Sequence, residues 1–341
     1  MARRGTTEAS GSEVIEGLRR FLAGCRRSDG GVRPGLDRRY RGTSDTALSD
    51  LAAPVYALIL EETFGFRVLN RRRTRRFIER GRDSDGLWRR ARAPDPPAHL
   101  VLYDTMQALL GLRIIAGGRL SRAGLGRTIR GVRSLLVPGA ERSFPPYALD
   151  FFGQFFAIVG RPLPPRIGCA VWRAYLARYG RGEVGGHVAS TFHFVRHALQ
   201  QGRKVPHAWE ILRRTLALQR RDGSWNRMPD RSWDVHATFD GCFIVRRLGE
   251  RLGWTPQCTR ALAGAARYAM SCRNPDGGFG HFPGAASDVD AAYFQAGTLV
   301  MSGCLSARPV PPRLASVLGW GHVFPAATRR RRAARSAAVS T

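Results

Sequence analysis

Two short segments carry the side chains most suited to chemistry: "DVHATF" at residues 234–239 and "DVDAAY" at residues 288–293. Carboxylates and an imidazole can move protons near neutral pH, and when gathered together they can hold a divalent ion. The plainer use is local. An aspartate at a helix start satisfies free backbone N–H groups whatever else the protein does. Capping is the expectation for Asp288. For Asp234, His236 and Asp290 both uses stay open, and His236 has a carboxylate close in sequence as a partner even without a metal.

The spacing shows what must position these residues. Asp234 and Asp288 lie 54 residues apart, and so do Asp222 in "DGSW" and Asp276 in "DGGF", which precede them. Earlier copies stand at Asp29 in "SDGGV" and Asp85 in "SDGLW", 56 residues apart. The interval between Asp85 and Asp222 holds two weaker units, around residues 132–159 and 171–201. Each of the six units has an apolar stretch such as "AWEILRRTLALQRR", a glycine turn, a polar loop and a second stretch such as "HATFDGCFIVRRLGERLG". Apolar residues recur at i, i+3 and i+4, without the alternation of strands, so each unit is expected to be a helical hairpin.

Stacked hairpins bury each other's faces and form either an open superhelix or a closed ring. The turns favour closure. Glycine permits the positive φ after the first helix, and the aromatic residue that follows (Trp88, Trp225 or Phe279) is expected to fold back structurally between neighbouring units.

Composition narrows the function classes. The 341 residues carry a net charge of +29, but Lys204 is the single lysine. Such one-sided use of arginine reads as compositional bias, so no specific nucleic-acid partner is expected. Six irregularly spaced cysteines make no disulfide framework and point to a reducing, cytoplasmic setting. No run of 18 apolar residues occurs, so no transmembrane segment is expected. The reading is a flexible N-terminus over 1–11, one domain over 12–322 and a basic disordered tail over 323–341.

The pattern of Gln219, Gly223 and Trp225 in "QRRDGSW", with "NPDGGF" at 274–279, resembles the repeat of protein prenyltransferase β subunits and of squalene or terpene cyclases. That resemblance implies an all-α fold, an α/α toroid of about twelve helices in two concentric rings around a deep apolar cavity. A single ring of this length is more similar to the prenyltransferase β subunits. The resemblance then implies a metal site, zinc or another divalent ion, with Asp234 in the place of the family's aspartate, His236 in that of its cysteine and Asp290 in that of its histidine. In the same way it places His187, in "GHVASTF", and Arg231 against an isoprenoid diphosphate. His193 and His197 read as lining or packing. Ala237 replaces the tyrosine that usually follows the metal cysteine. A second helical subunit is the family's usual partner.

Two other functions remain open. "SDVDAAYF" resembles part of the DxDD acid motif of class II terpene cyclases, in which an aspartic acid kept protonated gives its proton to an alkene, but Ala291 stands at the motif's last position. A non-catalytic toroid, a binding module or scaffold, is the third.

Overall fold

The computed structural model describes residues 10–89, 96–121, 123–135, 144–184, 188–311 and 314. The predicted tail, His187 and residues 1–9 of the predicted N-terminus lie outside them. Among the described residues the chain forms thirteen α-helices and no strand of a sheet. Twelve fall into six outer–inner pairs along the chain. These are α1 (Gly11–Cys25) with α3 (Ala52–Phe64), α4 (Arg71–Glu79) with α5 (Ala98–Ile115) and α6 (Leu125–Ser134) with α7 (Asp150–Ile158). The others are α8 (Pro165–Tyr179) with α9 (Ala189–Gln200), α10 (Ala208–Leu218) with α11 (Asp234–Leu252) and α12 (Pro256–Ser271) with α13 (Val289–Ser302). The remaining helix, α2 (Asp45–Leu48), is one turn in the long connection of the first pair.

Sequence polarity sorts the helices into two rings. On α4, with its run of arginines, only Thr74, Phe77 and Ile78 are buried, whereas α3 is buried from Ala52 through Thr63. A helix apolar on all sides belongs inside, and one with a narrow apolar stripe belongs on the outer belt. The inner helices close: α3 packs on α5, α5 on α7, α7 on α9, α9 on α11, α11 on α13, and α13 returns to α3.

A girdle of side chains within the inner ring passes through all six helices. The Tyr56 and Tyr103 hydroxyls are 3.1 Å apart. Tyr103 meets Phe151, Phe151 meets His193, and Phe192 meets Phe239 at centroid distances of 5.6, 5.8 and 5.7 Å. Phe239 then reaches Phe294 at 5.1 Å, and Tyr293 stacks on Tyr56 at 4.1 Å.

The glycine turns join one unit to the next. Gly223 has φ +98° and Gly277 +87°, and Gly30 and Gly86 share this left-handed backbone. A Cβ on Gly223 would run into the Gly264 carbonyl of α12, and one on Gly277 into Gly17 of α1, so the sixth unit abuts the first. Trp225 behaves differently from expectation. It packs inside its own unit, on Gly241 of α11, with its Nε1 donating to the Thr215 carbonyl of α10 at 2.7 Å. Contact with the neighbouring unit comes instead from Gly223 and from Gln219, whose Nε2 donates to the Ala261 carbonyl at 2.8 Å.

The expected cap at Asp288 is present: its Oδ1 accepts the Asp290 N–H at 2.7 Å. The same carboxylate closes the seam by accepting the Tyr40 hydroxyl at 2.7 Å, the Thr43 N–H at 3.1 Å and the Thr46 hydroxyl at 3.0 Å. This fixes the connection that carries Asp45 over the ring's open end. No described helix is long and apolar enough to cross a membrane.

Candidate active site

The inner helices surround a cavity of about 490 Å³, within the usual range for small-molecule sites. Its wall is largely aromatic, including Tyr103, Phe151, Phe192, Phe239, Tyr293 and Phe294, and most of these belong to the girdle. Leu48, Tyr147, Met228 and Trp233 belong both to the cavity wall and to the exposed surface. An apolar ligand would therefore enter across an apolar rim.

Three polar side chains come together where α11 meets α13. The His236 Nε2 lies 2.9 Å from Asp290 Oδ2, and His281 Nε2 lies 3.6 Å from the same oxygen. His236, His281 and Asp290 each offer one ligand atom, and these atoms all lie within 4.8 Å of one another. Residues 236 and 290 are 54 apart, so the repeat spacing brings the imidazole of one inner helix to the carboxylate of the next. His281 reaches them from the loop after the last glycine turn. Its Nδ1 faces the Ser232 carbonyl at 2.9 Å; a carbonyl can only accept, so Nδ1 carries a hydrogen, and in the neutral imidazole the Nε2 lone pair is the one turned toward Asp290. Ligating histidines are commonly oriented in this way.

The group fits a divalent ion on its own chemistry. His281 Nε2 and Asp290 Oδ1 are buried and take no hydrogen bond among the described residues. Orphaned atoms of this kind are costly unless something completes them. Two imidazoles and a carboxylate with an open position suit zinc and also other first-row divalent ions.

Asp234 is not part of this group. Its Oδ1 accepts Asn226 Nδ2 at 2.8 Å, and its Oδ2 accepts the Tyr268 hydroxyl at 2.8 Å and Arg231 Nε at 3.1 Å. Residues 234 and 236 are about 200° apart around a helix, so they cannot share a face. Asp234 turns toward α12, whereas His236 and Asp240, one turn apart, both face the cavity. Arg231 lies over Phe282, with its guanidinium carbon 4.9 Å from the ring centroid. His193 lines the cavity, and His197 is buried against Tyr175.

The electrostatics follow from burial and pairing. Burial alone would push the His236 imidazolium down, but the Asp290 carboxylate outweighs it and lifts the pKa to about 9. Burial pushes Asp290 up against the pull of His236. Asp240 is likewise pushed up to about 7 by burial, against the charges of His236 and Arg196. His193 is pushed down to about 4 by burial, despite Asp150 beside it.

These directions give a prediction. Because the His236 pKa is raised above its ordinary value, its proton contributes stability that is fully present below pH about 6.5 and is lost as pH rises through about 9. In Asp290→Asn the strongest pull on the His236 proton is gone and burial is opposed only by the weaker pull of Asp45 and Asp240, so the His236 titration followed by NMR in the metal-free protein is expected to fall well below about 9.

The comparisons agree with this architecture. Residues 169–321, which run from within α8 past the end of α13 and include every residue of the His236 group, match the family model of the prenyltransferase alpha-alpha toroid domain. The fold is an α/α toroid, and residues 169–321 are similar to that family's domain. No curated protein matches the chain. The match covers the half of the ring that holds the His236 group, and leaves the ligand, the metal and the reaction to be argued from the side chains.

Proposed function

We propose that this toroid domain is a prenyltransferase-like enzyme that holds an isoprenoid diphosphate with its hydrocarbon chain in the aromatic cavity and a divalent ion at His236, His281 and Asp290. One observation carries the reading: His236, His281 and Asp290 each bring one ligand atom to within 4.8 Å of the others at the wall of an apolar cavity, and the His281 Nε2 among them is buried without a hydrogen bond. When bound, the ion supplies a Lewis acid that lowers the pKa of an acceptor nucleophile.

The residues of the chain do the remaining work. The aromatic wall desolvates the isoprenoid and excludes water from an electrophilic carbon. Ser232, through its carbonyl, fixes the tautomer of His281 and aims its Nε2 at the site. Asp234 acts as a positioning residue that ties the 226–231 loop, and Arg231 within it, to Tyr268 on α12. Arg231 and His187, the latter outside the described residues, are proposed to neutralise the departing diphosphate. The second helical subunit belongs to the same reading, as the source of an acceptor site.

Proton-initiated cyclisation is the competing reading. The burial that pushes the Asp290 carboxyl up favours it. It is the weaker one because His236, not Asp290, faces the cavity. Incubation with a polyprenyl diphosphate separates the two. Transfer releases inorganic diphosphate in the presence of an acceptor and a divalent ion, and the release is lost in His236→Ala. Cyclisation leaves the diphosphate on a rearranged hydrocarbon, and a scaffold does neither.

A further inference from the structure

The charged side chains on the cavity wall are unequally paired. Arg196 is bonded to Asp150, its Nε donating at 2.6 Å, and His236 to Asp290 at 2.9 Å. Asp45 accepts the hydroxyls of Tyr56 and Tyr103, the latter at 3.0 Å, and has no cation beside it among the described residues. Asp240 has neither a hydrogen bond nor an ion pair among the described residues, although it is only 4% exposed and belongs to the cavity wall. A buried carboxyl in an aromatic cavity is costly unless the ligand completes it.

The place of Asp240 strengthens the point. It follows His236 by four residues on α11, so it lies one turn further from the rim on the same face. Its chain neighbour Phe239 and the α13 residue Tyr293 line the same wall. Two carboxyls with no cation in ion-pair contact among the described residues, set among aromatic rings, attract positive charge through Coulomb's law and through the ring quadrupoles. An anionic group set against them would be repelled.

We propose that the cavity takes an apolar molecule bearing an organic cation of the alkylammonium kind, with its charge set against Asp240 and Asp45. The inference goes beyond the proposed function by adding a second ligand class for the same cavity. It rests on that cavity and uses neither the metal nor the transfer step.

Decyltrimethylammonium and decanol share a chain and differ in the charge of the head. In calorimetric titrations of the full chain below the micellar range, the cation is expected to bind at least about tenfold tighter. Asp240→Asn should cut this advantage to about threefold or less and leave decanol unchanged, and Asp45→Asn, whose amide oxygen still accepts the tyrosine hydroxyls, should reduce it in the same direction. A wild-type advantage below about threefold overturns the proposal, and so does an advantage that survives both substitutions. The wild-type ratio decides even if Asp240→Asn fails to fold. Diphosphate release is measured separately, so failure here and failure of the proposed function are distinguishable.

Discussion

Trp225→Ala is expected to destabilise the protein by about 4 kcal/mol, the middle of the range for removing a large aromatic side chain from a core. The indole is fully buried between α10 and α11, and Gly241 provides its seat, since any side chain there would overlap the ring. Truncation would leave a cavity that the neighbouring backbones cannot fill, and it would strand the Thr215 carbonyl that now accepts Nε1–H at 2.7 Å. Trp225→Phe keeps most of the ring but still loses that hydrogen bond, so its cost should be smaller, about 1–2 kcal/mol. Equilibrium urea unfolding of the two variants measures both terms. Equal, small losses would mean that the turn aromatics do not hold the hairpins together.

The second large effect concerns the ion. His281→Ala is expected to weaken divalent-metal binding by more than about 100-fold, beyond the 10- to 100-fold typical of losing only an outer partner of a ligand. Asp234→Asn should leave the affinity within about threefold, because the Asp234 oxygens are already occupied by Asn226, Arg231 and Tyr268. Binding should also strengthen with pH. His236 must lose the proton that Asp290 holds on it up to about pH 9, so each unit of pH below that value is expected to raise the apparent affinity about tenfold. Competition with a fluorescent chelator at several pH values measures the affinity and its slope together.

The hairpins were legible because helical periodicity and a repeated glycine turn are local signals, and the closed inner ring bears out the α/α toroid that the family resemblance implied. The encounter of His236 with Asp290 was legible for a related reason: equivalent positions of adjacent units must lie side by side. Position 281 has Arg227 as its counterpart 54 residues earlier, so nothing in the repeat marked His281. Asp240 was hidden too, since its counterpart is Phe294 and only a view of the whole cavity shows a carboxyl among rings. Asp234 looked like a companion of His236 because the two are close in sequence, but helical geometry turns them to different sides. Asp45 reaches the cavity from a connection without periodicity, where pattern carries no information.

The central claim is that two imidazoles and one carboxylate, contributed by α11, α13 and the loop between α12 and α13, form a metal centre at the cavity wall. X-ray absorption at the metal edge of the zinc-loaded protein tests it most directly. One ion per chain, with two imidazoles and oxygen in its inner shell and no sulfur, is the predicted result, and the imidazole signal should drop by half in His281→Ala. Failure to retain a stoichiometric ion, or a shell that contains cysteine sulfur, would contradict it.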